Sequence, residues 1–132
     1  MDGETDLSIL IRNLAPELHP GEYVFCSLKQ EAIPAGVEPV AMIRENEGLT
    51  LVLSRGQAEQ LGISFTTRCA WITLMVHSDL EVVGLTAAIS KLLTDSNIPC
   101  NVVAGYYHDH LFVPSVDALK VMELLTSLSA SG

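Results

Sequence analysis

The sequence predicts an α+β fold: two ferredoxin-like βαββα units with antiparallel sheets, sharing one long central strand. Three observations predict it. The stretch from Ala41 to Ala58 recurs in pattern from Asn101 to Ala118, sixty positions on, as an apolar run, a polar turn, a second apolar run and a helical pattern. Few residues are identical, so the repeat lies in hydrophobicity and turns. The second observation is Thr66 to His77, the longest strand pattern, with Ile72, Leu74 and Val76 facing one way and Trp71, Thr73 and Met75 the other. Both faces read as covered, which puts this strand inside the sheet, long enough to serve both halves. The third is element order: α-β-β-β-α leads into the shared strand, and β-α-β-β-α starts from it.

Each element has a local reason. Thr5 or Asp6 caps a first helix whose Leu7, Leu10, Ile11 and Leu14 fall on one stripe, and Pro16 ends it. Pro20-Gly21 marks a turn, and Tyr23 to Leu28 follows as a strand opened by the β-formers Tyr23, Val24 and Phe25. Residues 29–39 carry two prolines and Gly36 and read as a surface loop. Val40 to Ile43 and Leu49 to Leu53 form a hairpin around Glu45-Asn46-Glu47-Gly48, where Asn and Gly tolerate the left-handed backbone of such turns. Ser54-Arg55-Gly56-Gln57 is a capping box opening a short helix through Leu61, and Gly62 terminates it.

After the shared strand, Ser78-Asp79-Leu80-Glu81 is a second capping-box pattern, with Leu85, Ala88, Ile89 and Leu92 as the stripe of the helix it opens. Asp95-Ser96-Asn97 ends that helix. Pro99 to Tyr107 reads as a strand, His108-Asp109-His110 as a turn and Leu111 to Val113 as the return strand. The last helix is capped near Ser115, turns Ala118, Val121, Met122 and Leu125 inward, and frays from Ser127 to Gly132.

Composition narrows the function. Of 132 residues 48% are hydrophobic and 5% aromatic, so an aliphatic, well-buried interior is expected. Asp and Glu number 16 against 7 Lys and Arg, for a net charge of -9, and Lys29, Arg55, Arg68 and Lys91 are scattered. Nucleic acid is therefore not an expected partner, because phosphate contacts need clustered cations. No apolar run approaches the ~20 residues that span a bilayer, and no secretory signal opens the chain, so no membrane partner and a cytoplasmic location are expected. Cys26, Cys69 and Cys100 fit neither a disulfide framework nor a zinc pattern and read as buried, reduced thiols. Gly-rich phosphate loops, nucleophile elbows and His-Glu-x-x-His are absent. No cofactor and no catalytic residue are expected.

With strand, helix and hairpin in that order, the second half resembles an ACT domain, the small regulatory module of amino-acid biosynthetic enzymes. The match is carried by Ile72 to His77, the turn Glu81-Val82-Val83-Gly84-Leu85, Ala88-Ile89 and Ile98 to Val103. The usual turn reads Asp-x-Pro-Gly-Leu; here Glu81 stands for the Asp and Val83 for the Pro, while Gly84-Leu85 is kept. Trp71 to His77, Val83 to Ile89 and Asn101 to Pro114, with its Gly-Tyr-Tyr-His-Asp-His run, resemble stand-alone bacterial proteins with tandem ACT-like halves. The clear match covers residues 66–126, and Glu47 to Leu53 extend it into the first half. The halves are expected at 1–65 and 66–132.

The resemblance implies a ligand at the end of the first strand and the start of the first helix of the second unit. The physics agrees: Ser78 to Gly84 would hold free N–H groups at a helix N-terminus, which attract a carboxylate. The expected ligand-binding set is His77, Ser78, Asp79, Leu80, Val83, Gly84, Leu85, Asn101 and Val102. Gly84 would offer a bare backbone, or else let a neighbouring element approach. The Asn101 amide would read the polar groups of an amino acid, or satisfy a loop backbone group. No metal is expected. An alternative pairs His108 with His110 at one ion, but the third and fourth ligands are missing apart from His77 and a few carboxylates. The sequence thus points to a non-catalytic, regulatory, amino-acid-binding homodimer. A ligand-free interaction module and a metal-dependent enzyme using His108, His110 and His77 are the alternatives.

Overall fold

The computed structural model of the chain describes residues 6–29, 32–76 and 83–131. Two compact units emerge: Gly21–Cys69 form one, and residues 1–20 with 70–132 form the other. Packing therefore assigns the described part of the first twenty residues to the unit that contains the chain's second half.

In the smaller unit, strands β2 (Tyr23–Leu28), β3 (Ala41–Glu45) and β4 (Gly48–Ser54) lie in the order β3-β4-β2, and the start of β5 (Arg68–Leu74) borders β2. β2 pairs antiparallel with β4 from Tyr23↔Ser54 to Leu28↔Leu49, and with β5 at Tyr23↔Cys69 and Val24↔Arg68. Alternation sends Val24, Cys26, Leu49, Leu51 and Leu53 into one apolar cluster. Helix α2 (Arg55–Gln60) covers it with Ala58, capped by the Ser54 hydroxyl, which accepts from the Gln57 amide at 3.2 Å. Gly62 follows at φ +67°, where a residue with a Cβ is strained.

The larger unit contains α1 (Leu7–Arg12), β1 (Pro16–Leu18), most of β5, α3 (Leu85–Asp95), β6 (Asn101–Ala104), β7 (Asp109–Pro114) and α4 (Ala118–Ser131). Its strands lie in the order β1-β5-β7-β6. The three helices share one core cluster with one face of the sheet, centred on Leu10, Ile72, Leu74, Ile89, Leu93, Leu111, Val113, Val121 and Leu125. Alternation along β5 turns Trp71 and Thr73 to the other face.

Numbered within each unit, both sheets run second-third-first-fourth. β5 is the fourth strand of the smaller unit and the first of the larger, as the shared central strand requires. The larger unit's fourth strand is β1, drawn from the N-terminus and paired with β5 at Pro16↔Leu74, Glu17↔Thr73 and Leu18↔Ile72. The sixty-residue repeat holds pair by pair. Ala41↔Val52, Met42↔Leu51 and Ile43↔Thr50 correspond to Asn101↔Phe112, Val102↔Leu111 and Val103↔His110.

Several boundaries differ from the sequence reading. Pro16 opens a strand: the helix has already ended at Arg12, and Pro is tolerated at the first position of a strand. His108-Asp109-His110 is not a turn. The reversal is Gly105 to His108, closed by the Gly105 amide donating to the His108 carbonyl at 2.9 Å, and Asp109 and His110 already lie in β7. α4 runs to Ser131 rather than fraying from Ser127, with the Ser129 hydroxyl donating to the Arg12 carbonyl at 2.7 Å. No helix among the described residues is long and apolar enough to cross a membrane.

Candidate functional site

His77, Ser78, Asp79 and Leu80 lie outside the described residues, as does the Ser78–Glu81 capping box. The described part of the expected site begins at Val83, which is 87% exposed. Gly84 is the N-cap of α3, in the left-handed region at φ +103°, with no side-chain cap bond. The first helical bond is the Ala88 amide donating to the Gly84 carbonyl at 2.9 Å. The amides of Leu85, Thr86 and Ala87 have no acceptor among the described residues. A helix leaves its first amides unpaired by construction, and their aligned dipoles favour an anion.

Gly84 has two structural reasons of its own. A Cβ there would be strained by the backbone and would stand 3.0 Å from Leu7 Cδ2 of α1. Gly84 therefore lies against the N-terminal helix. Leu85 is 2% exposed and belongs to the core cluster, so its side chain is not offered to a ligand. Val102 likewise packs against that core. Asn101 is exposed on β6 at the edge of the sheet, opposite Phe112. Side chains at Asn101 and Val102 thus point to opposite faces.

A second constellation, which sequence reasoning missed, lies on the face of the larger sheet away from the helices. His19 follows β1 and donates its amide to the Trp71 carbonyl at 2.9 Å. Its ring stacks on Trp71, centroids 3.5 Å apart at 13°, and its Nε2 lies 2.7 Å from Thr73 Oγ1. Thr73 Oγ1 is in turn 3.0 Å from His110 Nδ1, and Trp71 Nε1 donates to the same Nδ1 at 3.1 Å. Thr73 is 4% exposed, the buried polar residue of the described chain. Burial lowers the pKa of His110, helped by His108 and His19 and opposed by Asp109; burial also lowers that of His19, opposed by Glu17. No local motif marks this group, because its members meet from 37 to 54 positions apart.

These contacts bear on the metal alternative. His110 Nδ1 is engaged by Trp71 and Thr73, while His108 Nδ1 faces the Val76 carbonyl at 3.4 Å. No cluster of three or more metal-ligating side chains occurs among the described residues. Nor do the thiols offer a nucleophile: burial raises the pKa of Cys26 and Cys69, and pushes Cys100 up to about 11. An open hollow of about 320 Å³ lies at the β3–β4 turn, where Lys29 and Arg44 stand with Glu45 and Glu47.

Comparison with known proteins places the fold. No curated protein matches the chain. Among solved structures, a Vibrio cholerae protein of unknown function is 42% identical, covers 93% of this chain and 95% of its own, and superposes with a TM-score of 0.84. An Agrobacterium tumefaciens protein shares 24% identity over 86% of this chain and 87% of its own, with a TM-score of 0.67. The regulatory subunit of aspartate kinase from Thermus flavus has the same fold at 6% identity, covering 86% and 96% with a TM-score of 0.61. Two ACT domain models match, one over residues 2–70 and the other over 66–127, so the chain belongs to the ACT domain family.

Proposed function

We propose that this protein is a non-catalytic regulatory module that binds an amino acid, or a similar metabolite carrying a carboxylate, at the N-terminus of α3. The observation that carries the reading is the set of amides from Leu85 to Ala87, unpaired among the described residues behind the left-handed Gly84. Such amides suit one carboxylate and need no cationic side chain. ACT family membership and the likeness of fold to a regulatory subunit support the regulatory part of the reading. His77 to Leu80 would complete the site from the strand side, with Asn101 reading the ligand's amino group from the edge strand. Protonated thiols and the engaged imidazole of His110 favour binding over catalysis.

The working form is a homodimer. β6 ends the strand order of the larger unit, so its outer backbone groups are available to a second copy. The free thiols, with Cys26 and Cys69 buried and Cys100 partly so, suit the cytoplasm.

A thermal-shift screen of the common amino acids at millimolar concentration tests the ligand. A ligand present at a hundred times its Kd adds about 2.7 kcal/mol, a shift of several degrees for a chain of this size. One amino acid, or a few related ones, is expected to give that shift; a flat response across the set would remove the sensor reading.

A further inference from the structure

Three contacts converge on Thr73 and His110, and together they admit one arrangement of protons. The Trp71 indole N–H can only donate, so His110 Nδ1 must accept and its proton sits on Nε2. With Nδ1 bare, the 3.0 Å contact to Thr73 is favourable only if the threonine hydroxyl donates to it. That leaves Thr73 Oγ1 as acceptor at its 2.7 Å contact, so His19 carries a proton on Nε2. The chain therefore runs one way, from His19 through Thr73 to His110, with Trp71 donating to the same end.

The two histidines are not equivalent in this chain. His19 can gain a second proton on Nδ1 and break nothing; its ring stays stacked on Trp71, where a cation is favoured over the indole face. A proton on His110 must go to Nδ1, where it confronts the Trp71 N–H and reverses Thr73. Close on its other side lies Gly105, where an added Cβ would stand 3.2 Å from His110 Nε2.

We propose that His110 is a proton-operated lock between β7 and β5: neutral, it ties the β6–β7 hairpin to Trp71 and Thr73, and protonated, it releases them. Among the described residues the charged and titratable groups around it are few. β1 brings Glu17, the residue after it is His19, the turn brings Tyr106, Tyr107 and His108, and β7 brings Asp109. β6 (Asn101–Ala104) and the Trp71–Thr73 stretch of β5 bring no charge. His19 and His108 oppose a charge on His110, and Asp109, itself driven toward its neutral form by burial, offsets them in part.

The direction with pH follows. The folded protein holds the His110 proton less firmly than the unfolded chain, whose ordinary value is 6.5. Between the two pKa values the unfolded state binds more protons, so the lock contributes fully above that ordinary value and is lost as pH falls through the lower folded one. If the ligand site at α3 is also correct, affinity there falls over the same range, because the hairpin turn meets the exit of β5 at Val76. That consequence rests on the ligand reading; the lock does not.

Trp71 is the chain's one tryptophan, so its indole N–H gives a single reporter resonance. The experiment follows that resonance and the histidine nitrogens by NMR from pH 8 to pH 5 on the full chain. The expected result is an Nε2–H tautomer for His110 at pH 8. Below the ordinary imidazole value, the indole proton should shift and exchange faster as His110 charges. His19→Gln, which removes the titrating ring stacked on the indole, should leave the transition in place; adding His110→Asn, which keeps an acceptor where Nδ1 stood and cannot titrate, should hold the indole signal constant. An Nδ1–H tautomer, an indole signal unmoved while His110 titrates, or a transition persisting in the His19→Gln, His110→Asn double variant would overturn the proposal. The tautomer measurement on the unaltered chain decides even if a variant fails to fold.

Discussion

The hairpins β3–β4 and β6–β7 share one backbone plan and use it differently. Their cross-strand pairs correspond one for one at a spacing of sixty residues. At one of these positions the first hairpin has Thr50, whose hydroxyl donates to Glu45 of the same hairpin. The second has His110, which reaches out of its hairpin to Trp71 and Thr73 of β5. What covers them differs too. Met42 of β3 is 43% exposed, whereas its counterpart Val102 packs against the core that the three helices share. Repetition kept the pairing register, which hydrophobic alternation enforces along a whole strand. It left single side chains free to take new partners.

The largest test of this contrast lies in the cores. Leu10 and Leu51 are both fully buried, one in each unit. Leu10→Ala and Leu51→Ala should each cost about 2–5 kcal/mol in urea unfolding. Hydrogen exchange should separate them, Leu10→Ala loosening residues 70–131 and Leu51→Ala residues 21–69. Loosening of residues 21–69 by Leu10→Ala would contradict the assignment of α1 to the larger unit.

That assignment shows where sequence reading stops. Long periodic elements were legible: β2 spans the expected Tyr23–Leu28, the Ser54 cap opens α2, and the first helix takes Asp6 as its N-cap. β1 was not, because three residues carry no period and Pro16 reads equally as the end of a helix. The β6–β7 turn was placed late, since Tyr106 and Tyr107 have the β propensity of a continuing strand, yet both are more than half exposed. Of the candidate site, Gly84 was legible through its family turn. Its left-handed backbone and its contact with Leu7 were not, because that contact comes from a helix far away in the sequence. The histidine chain was hidden for the same reason.

A smaller effect separates the two turns. Gly48 starts β4, and a Cβ there would meet the Leu28 carbonyl oxygen at 2.8 Å; its counterpart sixty residues on is His108. Gly48→Ala should cost about 1–3 kcal/mol, since rigid backbone must shift. Ala at His108 introduces no such collision. Equal losses at the two positions would show that the close approach to β2 is not what demands glycine.

The smallest contrast concerns the caps. Asp6 accepts from the Ser8 and Ile9 amides at 2.9 and 3.3 Å, and Ser54 from Gln57 at 3.2 Å. Asp6→Ala and Ser54→Ala should each cost about 1 kcal/mol, read from chemical denaturation, with the doubly bonded Asp6 at the upper end. Gly84 caps α3 without any side-chain bond.

The central claim is tested most directly by following the backbone amides of Val83 to Ala87 in ¹H–¹⁵N spectra while the amino acid that most stabilises the protein is added. The account predicts saturable shifts centred on Leu85, Thr86 and Ala87, with a Kd matching the thermal shift. Amides there that stay fixed while the protein is stabilised from elsewhere would contradict it.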